Sequence, residues 1–191
     1  MNSQSYFSRV DEHERGDALE CTDRIVQAKD ICKLIIGSGP NRLEFDGTKL
    51  KGTWKIGLGG PLYNIYCMYN HDINGAIRLD RRIRSFGDSF IIVLNTEIFL
   101  EKIKMAVVRA GLNCKYRPVN YFDDATYTGD TGVFRKSARF RHQKEFRIAV
   151  WPGRSCPIRL RIGNINSLCS PIFSISRLGN FRIRPTRIRE I

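Results

Sequence analysis

The chain has 191 residues, of which 42% are hydrophobic and 27% are charged, a balance typical of one globular domain and unlike that of disordered or collagen-like chains. Lys and Arg total 32 against 19 Asp and Glu, so the net charge is +13, which favours a polyanionic partner such as DNA or RNA and leaves an acidic partner protein as the alternative. The sequence shows neither an apolar run long enough to span a membrane nor the pattern of a secretory signal, so we expect a cytoplasmic protein with no membrane partner.

The segments between turn residues are mostly short, and their side chains are either apolar or alternate between apolar and polar. This pattern predicts a fold dominated by strands. Asp46-Gly47 is a strong turn dipeptide and predicts a hairpin between the segments on either side of it. The predicted strands are residues 24–27, 31–36, 42–45, 52–56, 62–68, 90–94, 116–121, 146–151 and 158–162.

Residues 96–110 predict an α-helix. Thr96 is a suitable N-cap, apolar side chains such as Phe99 and Ile103 recur at helical spacing, and Gly111 stands where a helix commonly ends. Residues 133–142 could form a second, basic helix.

These elements predict an α+β fold with a curved, mostly antiparallel sheet and one or two packed helices. We expect a single domain over residues 1–191, with an irregular N-terminal segment of about residues 1–22 and a basic C-terminal tail of about residues 176–191.

Positive charge is concentrated in the last third of the chain, where residues 131–191 carry fourteen basic and two acidic side chains. Phe134, Phe140 and Phe146 are interleaved with six of the cations, a pattern typical of a surface that combines phosphate contacts with base stacking. The predicted nucleic-acid-binding residues are Arg135, Lys136, Arg139, Arg141, Lys144 and Arg147, together with Arg182, Arg184, Arg187 and Arg189 of the tail.

One carboxylate, Glu145, stands among these cations at the start of an apolar strand. Neighbouring positive charge lowers the pKa of a carboxyl group, so we expect Glu145 to be ionised. Such a group could stabilise a cationic centre that develops during glycosidic cleavage. The alternative is that Glu145 is an ion-pair partner that relieves repulsion between arginines.

Gln143-Lys-Glu145, followed by Phe-Arg-Ile-Ala-Val-Trp-Pro, resembles the Gln/Glu-x-Glu signature of ADP-ribosyltransferases. The resemblance implies that Glu145 orients the nicotinamide ribose of an NAD cofactor and that Gln143 positions the acceptor. It also implies that the segment from Tyr66 to Tyr69 lies at the cofactor, and that Arg9 is the counterpart of the first motif.

The chain as a whole resembles an uncharacterised family of bacterial and phage-linked proteins. The motifs shared with that family run from Tyr6 to Glu20, at Tyr66-Cys67, from Phe86 onward, at Val119-Asn-Tyr121 and from Phe134 to Arg147. This resemblance implies an effector of toxin or phage-defence type.

Glu44, Asp46 and Lys49 are similar to the carboxylate and lysine cluster of metal-dependent nucleases, although Asp46-Gly47 is explained equally well as a turn. The six cysteines lack zinc-ligand spacing, and the chain has only three histidines, so we expect no metal and reduced, mostly buried thiols.

Three hypotheses about function follow. The first is an effector that acts on nucleic acid as an NAD-dependent ADP-ribosyltransferase. The second is a non-catalytic nucleic-acid-binding subunit of a defence or ribonucleoprotein complex. The third is a metal-dependent nuclease.

Overall fold

A computed structural model describes residues 1–3, 6–7, 17, 19–20, 22–57, 62–71 and 80–176. The fold is mixed α+β, as predicted, and its strands form several small sheets that are mostly antiparallel. The largest sheet has four antiparallel strands in the order β1, β6, β12, β8, with the bounds Asn2–Ser3, Asn64–Tyr69, Glu145–Trp151 and Asn113–Pro118.

Strand β12 is the centre of the fold because its apolar run, Ile148 to Val150, is buried on both faces of the sheet. One face packs against the helix α1, Thr96–Arg109, through Phe99, Ile103 and Val107. Within the described residues, no helix is both long enough and apolar enough to cross a membrane.

The ends of α1 confirm most of the prediction and correct one detail. The N-cap is Asn95, whose side chain accepts a hydrogen bond from the backbone of Ile98 at 3.0 Å, and not Thr96. Gly111 has a φ of 69°, as expected for the left-handed residue that follows a helix.

The opposite face of the central sheet carries Ala149 and Ile65, which pack with Val133 and Phe134. Since side chains alternate across a strand, Glu145 and Arg147 lie on this same face. The face therefore joins an apolar patch to a charged one.

The remaining strands pair in smaller sheets. A three-stranded sheet has the order β10, β2, β5, and three pairs join β3 to β4, β7 to β13 and, in parallel, β9 to β11. The bounds are β2 Arg24–Gln27, β3 Lys33–Ile36, β4 Leu43–Asp46, β5 Thr53–Ile56, β7 Ser89–Phe90, β9 Asn120–Phe122, β10 Gly129–Asp130, β11 Arg135–Ser137 and β13 Phe173–Ser174.

The predicted hairpin around Asp46-Gly47 is wrong. Strand β4 pairs with β3 and β5 pairs with β2, because Gly47 opens a 3-10 turn, Gly47–Lys49, that packs against the base of β3. The backbone N–H of Gly47 donates to the carbonyl of Cys32 at 3.0 Å, and a Cβ at Gly47 would lie 1.6 Å from the carbonyl oxygen of Ile31. This close approach to the backbone of Ile31 explains why position 47 is a glycine.

The predicted helix over residues 133–142 is also wrong. Parallel pairing with β9 extends residues 135–137 as β11, and a 3-10 turn, Ala138–Gln143, follows it. The left-handed backbone of Lys144, with a φ of 41°, ends that turn and starts β12.

Two predicted strands are largely absent. In residues 90–94 only Phe90 belongs to a strand, and Val93 forms an isolated bridge with Cys169. Residues 158–162 form no strand, although the N–H of Ile158 donates to the carbonyl of Met1 at 2.9 Å. Apolar alternation in both segments reflects packing against the core and not strand pairing.

Candidate functional site

Five polar side chains from distant parts of the chain form a buried ionic cluster. Arg147 is 1% exposed and donates to Glu145 Oε1 at 2.8 Å and to Glu20 Oε1 at 2.9 Å. Lys136 Nζ donates to Glu145 Oε2 at 3.2 Å and to the amide oxygen of Gln143 at 2.9 Å. We call Glu20, Lys136, Gln143, Glu145 and Arg147 the ionic cluster.

The strands that meet here explain how the cluster forms. Glu145 and Arg147 are two residues apart on β12 and therefore share a face. Lys136 is the middle residue of β11, and the Tyr121 hydroxyl, from the adjacent β9, accepts the backbone N–H of Glu145 at 2.8 Å. Arg147 also donates to the carbonyl of Val133.

The pKa values of the two carboxyl groups of the cluster are shifted in opposite directions. Burial alone would raise the pKa of Glu145, but the charges of Arg147 and Lys136 and the hydrogen bond from Arg147 lower it to about 2. Burial raises the pKa of Glu20 despite its bond to Arg147. The pKa of Arg147 is raised because both carboxylates oppose the effect of its own burial. The expectation that Glu145 is ionised is confirmed.

The geometry assigns the Glu145 carboxylate to ion pairing in this conformation. Each of its two oxygens already accepts a hydrogen bond from a buried cation. The Gln143 amide oxygen likewise accepts from Lys136. A buried charge that loses its partner costs several kcal/mol, so these groups hold one another in place.

The residues that the transferase resemblance places at the cofactor do not all converge. Tyr69 pairs with Glu145 in the sheet and shares its face, whereas Tyr66 pairs with Ile148, lies on the opposite face and is 45% exposed. Residues three apart in a strand always point to opposite faces. Arg9 and the tail residues Arg182, Arg184, Arg187 and Arg189 lie outside the described residues.

Cys67, beside Tyr66 on β6, has its thiol close to the cluster. Loss of hydration and the negative charge of Glu145 raise the pKa of the Cys67 thiol, which hydrogen-bonds to that carboxylate. Cys32 and Cys156 are exposed, so the expectation of buried cysteines is wrong for these two. Cys67 as a whole residue retains exposed surface, whereas its thiol is removed from water beside Glu145. None of the cysteines that the structure describes is in a disulfide.

A second charged site lies on the surface. It is built by two 3-10 turns that contact one another, Arg81–Phe86 and the Ala138–Gln143 turn that precedes β12. Its six cations all have exposed side chains, and we call them the basic surface: Arg81, Arg82, Arg84, Arg139, Arg141 and Lys144.

Asp80 supplies a carboxylate to the basic surface. Asp80 caps the first turn by accepting the backbone N–H of Arg82 at 3.0 Å, and it forms an ion pair with the guanidinium of Arg82 at 2.7 Å. Hydrogen bonds from Arg82 hold the pKa of Asp80 well below its usual range. The charge of Asp80 therefore offsets that of Arg82.

The structure divides the predicted nucleic-acid-binding residues into two groups. Arg139, Arg141 and Lys144 lie on the basic surface, and Arg139 packs over the buried ring of Phe140 at 4.4 Å. Lys136 and Arg147 are inside the ionic cluster, and Arg135 is half-buried and packs over Tyr127 at 5.5 Å.

Sequence reasoning did not identify residues 81–84 as part of this site. Arg81-Arg82 after Asp80 is visible as an arginine-rich segment with a capping aspartate. Its contact with residues 138–143 depends on long-range packing, for which the sequence contains no local signal.

The carboxylates of the nuclease hypothesis have structural partners. Asp46 accepts from the backbone and hydroxyl of Thr48 at 2.9 and 2.8 Å, and Glu44 pairs with Lys33 and Arg42. In the part of the chain that the structure describes, no group of three or more His, Cys, Asp or Glu side chains could hold a metal ion.

Comparisons of the chain with protein-family models and with curated proteins, and of its structure with solved structures, found no match.

Proposed function

We propose that the protein binds nucleic acid through the basic surface. The observation that carries this proposal is the contact between two arginine-bearing turns that are far apart in the sequence. Together with Lys144, which follows the second turn, they expose six cations. Five of the six are arginines, whose planar guanidinium groups match phosphate oxygens bidentately.

The first component of this binding is an electrostatic contact between the cations and the phosphates, which does not depend on the base sequence. Each cation that neutralises a phosphate releases a counterion, so affinity falls steeply as salt rises. This role corresponds to the binding subunit among the hypotheses and requires no catalytic group. The ionic cluster then serves the fold by fixing β11, β12 and Glu20 together.

The experiment measures fluorescence anisotropy of a labelled mixed-sequence oligonucleotide over a series of KCl concentrations. The double variant Arg139→Ala/Arg141→Ala should reduce the slope of log K against log salt by about two. The matched control, Lys33→Ala/Arg42→Ala, removes two exposed cations from the β3–β4 hairpin. It should leave the slope nearly unchanged, and an equal effect of both variants, or a flat salt dependence, would reject the proposal.

A second proposed function is NAD-dependent ADP-ribosyl transfer by Glu145. The observation that favours it is the concentration of ionised groups around a carboxylate with a strongly lowered pKa, a feature enriched at functional sites. In the conformation described here, Glu145 could accept a ribose hydroxyl only after Lys136 or Arg147 released one of its oxygens.

Labelled NAD incubated with the protein, oligonucleotides and cell lysate tests this second function. Label transfer that is lost in Glu145→Gln and kept in Glu44→Gln, an exposed carboxylate, would support it. Absence of transfer by a protein that still retains oligonucleotide would leave binding as the function.

A further inference from the structure

We propose that two copies of this chain associate through the apolar face of the β3–β4 hairpin. This association is independent of nucleic-acid binding. Four features of the hairpin support it: its projection from the fold, the composition of its two faces, the exposure of its apolar side chains, and the balance of the charges around them.

The hairpin projects from the body of the fold. Among the elements that the structure describes, the main contacts of β3 and β4 are with each other, and the turn Gly47–Lys49 at the base contacts the turn Ala28–Asp30. An isolated pair of strands is at best marginally stable in water, and it gains stability when another element covers an apolar face. The hairpin of a second copy supplies such a cover.

The register of the hairpin separates its side chains into two unlike faces. Leu34 pairs with Phe45, and Ile36 pairs with Leu43. Because side chains alternate along a strand, both pairs lie on the same side of the hairpin. We call these four residues the apolar face: Leu34, Ile36, Leu43 and Phe45. The opposite face carries three charged residues and one isoleucine: Lys33, Glu44, Asp46 and Ile35.

Most of the apolar face is open to water. Ile36, Leu43 and Phe45 are 50%, 57% and 43% exposed, and Leu34 is partly buried. Exposed apolar residues are common singly, but a contiguous group of them is typical of an interaction surface. The face offers roughly 350 Å² per copy, against about 800 Å² per partner in a standard stable interface, so we expect a weak dimer.

The charges around the apolar face favour a second copy as its occupant. Lys33 and Arg42 form ion pairs with Glu44, and the Asp46 carboxylate caps the turn at the base. These two cations and two carboxylates sum to zero in a chain whose net charge is +13. A two-fold interface brings one patch against its own copy, so a patch without net charge avoids repulsion there. An acidic protein or a nucleic acid would gain no ion pair from four apolar side chains.

The experiment measures the weight-average mass by sedimentation equilibrium from about 2 to about 200 µM protein at low and high KCl. The mass should rise from that of one chain toward that of two, and more so at high salt, because screening weakens the repulsion between two basic chains. Ile36→Lys and Leu43→Lys each place a charge on the apolar face and should weaken association at least about tenfold. The matched control, Ile35→Lys, places the same charge on the opposite face, where Ile35 is 46% exposed, and should associate like the unmodified protein.

A mass that stays at that of one chain up to about 200 µM would overturn the proposal. Equal weakening of association by Ile36→Lys and Ile35→Lys would overturn it as well. If the protein stays monomeric but floats with vesicles of phosphatidylcholine and phosphatidylserine, and Ile36→Lys does not, the face binds a lipid surface and not a second copy. Dimerisation without salt-dependent oligonucleotide binding would support the association and reject only the proposed function.

Discussion

Lysine and arginine side chains of residues 135–147 lie in two opposite environments, the buried ionic cluster and the exposed basic surface. Lys136 and Arg147 are buried and bonded to Glu145, whereas Arg139 and Arg141 are exposed on the basic surface. The backbone decides the difference. The buried cations belong to β11 and β12, whose ladders fix the direction of each side chain, and the exposed ones belong to the intervening turn.

The comparison teaches that charge density in a sequence does not by itself locate a ligand surface. A buried arginine with two carboxylate partners stabilises the fold and is unavailable to phosphate in that conformation. Arg141, which lies six residues before Arg147 on the intervening turn, is exposed.

Arg147→Ala should lower the free energy of unfolding by about 3–5 kcal/mol, because it leaves Glu20 and Glu145 buried with a lost partner. Arg141→Ala, the exposed counterpart, should change it by less than about 0.5 kcal/mol. Urea unfolding followed by tryptophan fluorescence measures both. A loss below about 1 kcal/mol in Arg147→Ala would show that the cluster does not hold the fold together.

The stability that Glu145 contributes should depend on pH. Its pKa is lowered in the fold from 4.5 to about 2, so its contribution is complete above about pH 5 and is lost as the pH falls toward 2. Glu20 changes the stability with pH in the opposite direction, since its raised pKa favours the protonated form in the fold.

Comparison of the unmodified protein with Glu145→Gln isolates the pH-dependent stability that Glu145 contributes. The difference in unfolding free energy between the unmodified protein and this variant should narrow by about 3 kcal/mol between about pH 5 and about pH 2. Glu101→Gln, an exposed carboxylate of α1, should show a difference that stays within about 0.5 kcal/mol. Parallel curves for Glu145→Gln would contradict the pKa assigned to this carboxyl group.

The sequence predicted the elements whose signals are local. Strand β2 and helix α1 were placed almost to the residue, and β12 was located by its apolar run. The errors arose where a long-range contact overrides a local pattern. Gly47 packs against Ile31 and redirects the hairpin, and pairing with β9 extends residues that the pattern favours as helix.

The candidate site was predictable to a similar extent. The ionised state of Glu145 followed from the cations around it in the sequence. Arg139 and Arg141 were predicted as binding residues on the same terms as Lys136 and Arg147, and only the fold separates the exposed pair from the buried pair. The hydrogen bond between Arg147 and Glu20 joins residues 127 positions apart in the chain, so no local pattern predicts it. Which cations are buried is therefore a property of the folded sheet.

Lys144 offers the smallest and most selective test, because it lies between the two regions. It is an exposed cation of the basic surface and has a left-handed backbone, with a φ of 41°, which disfavours residues other than glycine. Lys144→Gly removes the charge and relieves that strain, while the added freedom of the unfolded chain offsets the gain. The free energy of unfolding should stay within about 0.5 kcal/mol, and the salt slope of oligonucleotide binding should fall by about one. A loss of stability with an unchanged slope would move Lys144 from the ligand surface to the structural support of β12.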